Sequence, residues 1–331
     1  MRGQLWVRKN RTIPRMMADA LLALAVLSLL PLAFYGPRAG ILLLSGILGA
    51  CGAEALRGLL FRKQAFDGSA VVTGMIVALL LPAAVPVWMP AAGAFAGVLV
   101  GKLPIGRGGR NLLNPAAFGL AGLTLCWPKQ VFGYCALEKL PLLATCQVNP
   151  EWSPGAFLKA GMKPEILPYD LLWGQYPGPM GAGFAVMLAA CAVFFVLRRD
   201  VRLYVPVVLL GTAAIVAAIF PRFSELSALA SVKYELLSGS LLFCAVFLAA
   251  DPVTSPRTAV GSVCFAVVVG AFVMAYRWFG SYEEGTCFAI LFGNLLSPVL
   301  DGIVCTFRER PIRCKAKVPR AQAKTADEST V

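Results

Sequence analysis

Two polar stretches interrupt an otherwise apolar sequence, and their residue types suit binding more than bond-making. Gly106-Arg107-Gly108-Gly109-Arg110 is the chain's one glycine-rich basic turn. Its backbone amides and two guanidiniums have the composition of a phosphate cradle. A plain cytoplasmic turn whose arginines set membrane topology has the same composition. The turn runs into Asn111-Leu112-Leu113-Asn114-Pro115, two amides and a proline at a helix start. Open backbone groups of that kind are tolerated at membrane depth only beside protein, water or ligand. A second stretch, Asp251-Pro252-Val253-Thr254-Ser255-Pro256-Arg257, sets a carboxylate and two hydroxyls between prolines. Asp251 at a helix end is costly unless paired or wetted, which makes Asp251, Thr254 and Ser255 binding candidates. A loop cap is the ordinary alternative. Asp67 and Asp251 are the candidate carboxylates of an ion path; Glu54 and Asp301 raise the same question, and Glu54 has Arg57 three residues on as a simple partner.

Several chemistries are excluded. The chain has no histidine, which removes bis-histidine haem, histidine proton relays and histidine-dependent metal catalysis. Its ten cysteines are scattered with no Cys-x-x-Cys, so an intrachain iron–sulfur cluster is not expected and no metal ligand set is assigned. Cys135 and Cys146 share one hydrophilic connection, where an oxidising compartment would allow them to pair. No Walker loop is present.

The elements that must position these residues are membrane helices. Hydrophobic residues make up 58% of 331, charged residues 14%, and mean hydropathy is +0.74. A solvated globular surface does not sustain such values. Ten apolar runs are expected as helices, at about 18–36, 39–60, 69–88, 90–104, 111–127, 181–197, 203–220, 236–250, 258–279 and 285–305. The first follows several arginines but lacks a persuasive cleavage site, and is read as retained. With both termini cytoplasmic, most of the 30 basic residues fall on the cytoplasmic side, among them Arg57, Lys102, Arg107, Arg110, Arg198, Arg202 and Arg257. The net charge of +13 then reports topology and contact with anionic lipids, not nucleic acid.

Internal echoes suggest duplication. Gly68-Ser69 opens one apolar run and Gly239-Ser240, 171 residues later, opens another; Asn111-Leu112-Leu113-Asn114-Pro115 returns after 183 residues as Asn294-Leu295-Leu296-Ser297-Pro298. Five helices per half make the halves cross in opposite senses, an inverted repeat. The expected organisation is an all-α integral membrane protein of about ten transmembrane helices. A first five-helix repeat occupies 1–127, an external loop 128–180, a second five-helix repeat 181–305, and a basic cytoplasmic tail 306–331.

Taken together, Asp67 to Gly74, Lys102 with its glycine turn, Asn111 to Ala116, and Asp251 to Pro256 resemble the family of the D subunit of the Rnf electron-transport complex. The B subunit of the sodium-pumping NADH:quinone reductase is its relative. The resemblance covers nearly the whole chain, and the shorter chain without a long N-terminal extension is more similar to the Rnf subunit. It implies a ten-helix flavin-carrying subunit in the cell (inner) membrane. The complex around it would pass electrons between ferredoxin and NAD, or from NADH to quinone, coupled to Na⁺ or H⁺ movement. Its partners would be the other subunits of that complex.

The resemblance also implies FMN joined by a phosphodiester to a Thr of a Ser-Gly-Ala-Thr phrase before helix six, installed by a flavin transferase. This chain departs from that pattern. The corresponding stretch is Glu151-Trp152-Ser153-Pro154-Gly155-Ala156-Phe157, and no Ser or Thr occurs from Pro154 through Arg202. Three accounts fit: FMN on Ser153 by a shifted motif, flavin bound without a covalent bond, or loss of the external flavin. Loss or non-covalent binding is favoured. A second flavin, FMN or riboflavin, would rest between the repeats near Asn111, Asn114 and the Asp251 loop. The protein would then act as a subunit of a translocase rather than as an enzyme alone. The alternatives are a stand-alone channel or transporter for a small solute, which shares inverted repeats and broken helices, and a structural subunit without flavin.

Overall fold

The computed structural model describes residues 13–61, 68–102, 111–142, 151–198, 200–222 and 227–307. Asp67, the Gly106–Arg110 turn, Cys146 and the basic tail from Arg308 on lie outside the described residues. Among those described, the chain is all-helical, with no strand. The first half contains α1 (Ile13–Tyr35), α2 (Pro37–Phe61), α3 (Ser69–Leu79), α4 (Trp88–Gly101) and α5 (Pro115–Cys126). The expected loop is itself partly helical, with α6 (Pro128–Val131), α7 (Pro154–Lys159) and α8 (Pro168–Trp173). The second half contains α9 (Ala185–Arg198), α10 (Tyr204–Ile219), α11 (Ala228–Leu237), α12 (Leu241–Cys244) running into a π-helical turn at Ala245–Ala249, α13 (Ala259–Phe279) and α14 (Thr286–Phe307).

The chain is a multi-pass membrane protein. Among the described residues, four helices are long and apolar enough to cross a bilayer, at Arg15–Tyr35, Pro37–Leu60, Ala259–Phe279 and Thr286–Thr306. A fifth crossing is available if Ala228–Leu237 and Leu241–Ala249, bent by 64° at their junction, count as one. The other expected spans are helical but shorter. α3, α4, α5, α9 and α10 have 11, 14, 12, 14 and 16 residues. At about 1.5 Å per residue these reach roughly 17–24 Å, short of a hydrocarbon core of about 30 Å. Punctuation in the sequence explains part of the shortening. The run expected to continue to residue 88 stops as a helix at Leu79, ahead of Pro82 and Pro86.

Close packing depends on small residues. α2 packs on both α3 and α4, α4 on α5, α10 on α13, and α13 on α14. Where α2 crosses α3, a Cβ on Gly46 would stand 2.5 Å from the Gly74 carbonyl oxygen, and one on Gly74 would stand 2.5 Å from that of Gly46. Membrane helices gain little from the hydrophobic effect against lipid and rely on this backbone approach.

Contacts define two ends of the bundle. At one, the start of α1 meets the end of α9 through Asp19 and Arg198, 2.7 Å apart, while α2 and α4 end and α3 begins. At the other, Gly181 N donates to Leu79 O at the end of α3, Phe132 stacks on Tyr282, and α14 begins. Arg38, fully buried, pins this second end by donating to the carbonyls of Ala83, Val85, Pro141 and Leu142.

Helix starts recur at a nearly constant spacing. Trp88 and Ala259 begin α4 and α13, and Pro115 and Thr286 begin α5 and α14, each pair 171 residues apart. Gly68 and Gly239, also 171 apart, both adopt left-handed backbone, at φ 76° and 69°, just before α3 and α12. The Asn-Leu-Leu echo does not share this register. Asn114 precedes α5, whereas Asn294 to Pro298 lie inside an unbroken α14. The same letters thus take two structures, and that phrase is not part of the spacing that relates the helix starts.

Candidate functional site

Of the residues singled out in the sequence, Asn114 has the clearest local role. Its extended backbone and side-chain oxygen cap α5, accepting from Ala116 N at 3.0 Å and Ala117 N at 3.2 Å, with Pro115 in the first turn. Asn111 is partly buried on the approach to that cap. The Asp251 stretch folds as an Asx-type turn between the π-helical segment and α13. Asp251 accepts from Val253 N at 3.0 Å and from the Thr254 hydroxyl at 3.3 Å. Burial raises its carboxyl to about 6, while those two hydrogen bonds oppose the rise. Thr254 and Ser255 are buried.

Two carboxylates left open in the sequence have structural roles. Asp301 accepts from Arg257 N, Thr258 N and the Thr258 hydroxyl, tying the end of α14 to the start of α13. Glu54 lies 3.6 Å from Arg57 but only 2.8 Å from Lys102, whose ammonium also donates to Ser69 at the start of α3. Ser153 caps α7: its hydroxyl accepts from Ala156 N at 3.0 Å and donates to Glu283 Oε2 at 2.5 Å. Cys135 is a buried free thiol.

The arrangement contains groups that sequence reasoning passed over. Asn294 is 1% exposed, and neither its side-chain oxygen nor its nitrogen has a hydrogen-bond partner. One turn further along the same face of α14, the Ser297 hydroxyl donates to Thr254 O at 3.3 Å, so this face abuts the Asp251 turn. A buried primary amide presents an adjacent donor and acceptor. Leaving both unpaired costs on the order of 1–3 kcal/mol per group, which is the pattern of a recognition group.

At the second end lies a buried charge cluster. Glu235, 1% exposed, stands 2.9 Å from Arg277 and 2.7 Å from Arg222. Arg277 also pairs with Glu284 at 3.0 Å and donates to Ser238 O. Glu284 in turn accepts from Ser240 N, where the bent α11–α12 pair restarts. Glu283 accepts from Ser153 and from the Tyr134 hydroxyl. Burial lifts its carboxyl to about 7, and the negative charge of Glu284 adds to the rise; the hydrogen bond from Ser153 works against it. These residues line a cleft that also includes Tyr176 and Gly239. The available signal was Arg277 closing a long apolar run, followed within a few residues by the pair Glu283-Glu284.

The Ser153 hydroxyl is buried and shared between a helix cap and Glu283. The open amide of Asn294, close to Ser297 and the Asp251 turn, offers a donor and an acceptor, the complement that the polar edge of a flavin's pyrimidine ring would need.

Similarity to known proteins runs almost the length of the chain. Residues 1–308 match the model of the NQR2, RnfD, RnfE family. The chain is 30% identical over 326 residues to the D subunit of the ion-translocating oxidoreductase complex of Halorhodospira halophila, covering 89% of this chain and 90% of the relative. It is 27% identical over 306 residues to the D subunit of the proton-translocating ferredoxin:NAD(+) oxidoreductase complex of Clostridium ljungdahlii, covering 89% and 91%. It is also 27% identical over 332 residues to the D subunit of the ion-translocating oxidoreductase complex of Escherichia coli O7:K1, covering 89% and 94%. A match of this extent, across both helical halves and the connection between them, makes the chain a member of the NQR2, RnfD, RnfE family.

Proposed function

We propose that the chain is the D subunit of an Rnf-type, ion-translocating ferredoxin:NAD oxidoreductase complex. The observation that carries this reading is the end-to-end similarity to subunits of that description, over 89% of the chain. In this reading the chain lies in the cell inner membrane with both termini cytoplasmic, and its partners are the other subunits and anionic lipids. The ten apolar helices form two inverted five-helix repeats, 1–127 and 181–305, with 128–180 external and 306–331 a cytoplasmic tail. The spacing of 171 residues between helix starts, and the paired left-handed glycines before α3 and α12, support the repeat. Basic residues at the Asp19 end, among them Arg57, Lys102, Arg198 and Arg202, support that end as cytoplasmic.

Within the complex the chain would hold FMN or riboflavin without a covalent bond. Bound there, the flavin would supply one- and two-electron chemistry. The protein's part is binding and orientation. Asn294 would offer its amide to the ring edge, Thr254 and Ser297 would fix the turn beside it, and Asp251 would keep that turn closed. The commitment of the Ser153 hydroxyl to a helix cap and to Glu283 favours this over attachment by a transferase.

The test is to isolate the tagged chain from native membranes in mild detergent and assay reduced-ferredoxin-dependent NAD reduction. Co-isolation of redox subunits, with activity lost in cells lacking the chain, is the expected result. A chain that purifies alone and conducts a small solute into liposomes would instead make it a stand-alone transporter.

A further inference from the structure

The connection between the two halves carries an apolar stripe on its outside. In α8, Tyr169, Leu172 and Trp173 stand at i, i+3 and i+4, one face of a helix. The rings of Tyr169 and Trp173 agree, with centroids 6.0 Å apart. All three side chains are exposed, and Leu167 just before the helix is 68% exposed. The protein-facing side is filled separately: Leu171 is fully buried, clustered with Leu158, Tyr176 and Tyr234. A short helix bathed in water turns its polar residues outward, which α8 does not.

The stripe belongs to a wider girdle. Five of the chain's six tryptophans, Trp88, Trp127, Trp152, Trp173 and Trp278, lie at the second end of the bundle, each at least 36% exposed; Trp6 lies outside the described residues. Trp88 begins α4 and meets Trp127 just past α5, ring centroids 5.1 Å apart. Trp278 closes α13 beside Phe279, which is 88% exposed. Gly174, directly after Trp173, lies against Gly183 and Phe184 at the entry to α9. These helices have different packing partners: α4 packs on α2 and α5, α13 on α10 and α14, and α9 on α1 and α8. A protein partner covers one side of a bundle, whereas the lipid boundary surrounds it, and that boundary is where tryptophan and tyrosine collect. The exposed apolar surface is also continued on α9, at Val186, Val193 and Leu197.

We propose that α8 is a membrane-surface anchor, lying in the bilayer boundary at the second end with Tyr169, Leu172 and Trp173 immersed between headgroups and upper acyl chains. The occupant of the stripe is the lipid interface itself. The connection expected as an external loop is then tied to the membrane surface. Because the same segment brings Ser153 and Tyr176 to the buried charge cleft, the anchor steadies one wall of that cleft. It rests on the chain's being a membrane protein, and on no cofactor or redox assignment.

The test uses the full chain in phosphatidylcholine vesicles whose lipid is brominated either high on the acyl chains or near their ends. Subtracting the emission of Trp173→Phe from that of wild type isolates Trp173; Trp173→Tyr serves the same purpose if Trp173→Phe fails to fold. The expected result is loss of roughly half the Trp173 emission with bromine high on the chains, and a smaller loss with bromine near their ends. Leu172→Asp, measured against its own Trp173→Phe partner, charges the stripe and removes most of that loss. The assembled complex in the same vesicles shows the wild-type quenching again. Trp173 emission untouched by brominated lipid but quenched by iodide in the buffer would overturn the anchor, since the stripe would face water. Quenching that Leu172→Asp leaves unchanged would overturn it as well. So would quenching in the isolated chain that vanishes in the assembled complex, which would make the stripe a seat for another subunit.

Discussion

Replacing Arg277 with Gln tests the physical account of the second end. Arg277 is 3% exposed and serves two carboxylates at once, Glu235 at 2.9 Å and Glu284 at 3.0 Å, while donating to the carbonyls of Glu235 and Ser238. Its loss leaves Glu284 without its cation partner and leaves Glu235 with Arg222, 2.7 Å away, as its remaining cation. Breaking a buried pair from one side costs about 3–5 kcal/mol, a large share of a typical stability of about 5–15 kcal/mol. Arg222→Gln is milder, because Glu235 keeps its bonded partner Arg277; about 1 kcal/mol is expected, the worth of one modest polar contact. Removing charge of both signs, as in Arg277→Gln with Glu235→Gln, recovers part of the loss, since one buried carboxylate fewer is then left short of its cation. The assay is unfolding of the purified chain in mixed micelles with increasing dodecyl sulfate, followed by circular dichroism. Equal midpoints for Arg277→Gln and Arg222→Gln would refute the reasoning, as would a double variant less stable than the two single losses added together.

Other consequences are as direct. Burial raises the Glu283 carboxyl to about 7 from 4.5 for the free side chain, so its neutral form suits the fold; the stability that Glu283 contributes is fully present below about pH 4.5 and is lost as pH rises through about 7. Glu283→Gln flattens that part of the curve, measured by thermal unfolding across pH. Asn294→Leu removes two unsatisfied buried groups, so it leaves stability unchanged or improved while lowering retained flavin at least about tenfold, the equivalent of 1.4 kcal/mol. Fluorimetry of purified protein measures that loss. Gly239→Val forces a β-branched residue into left-handed backbone and against Glu284; it lowers the unfolding midpoint more than Gly211→Val, where a Cβ meets nothing within 4 Å.

The membrane class and the helical order were legible in the chain because both depend on local composition. Each of the ten apolar runs contains a helix, and Pro115 with Asn114 correctly marks the start of α5. Membrane-crossing length was less legible, since it depends on where proline and backbone geometry stop each helix. The Gly-Ser echo was informative because both glycines adopt left-handed backbone. The Asn-Leu-Leu echo misled because a short apolar phrase tolerates either a capped start or the interior of α14. The charge cluster was legible only in part: Arg277 and the pair Glu283-Glu284 stand close in the sequence, but Arg222 and Glu235 reach them only through tertiary packing. Asp301 accepts from the amides that begin α13, a pairing across 44 residues that no local pattern encodes.

The central proposal is that this family member would hold a flavin without a covalent bond. The direct measurement is to co-express the chain with a flavin transferase, purify it, denature it, and compare flavin released to the supernatant with fluorescence retained by the protein band. Flavin in the supernatant and a dark band, unchanged in Ser153→Ala, is the predicted result. Fluorescence that stays with the band, or no flavin in either fraction of a folded sample, would contradict it.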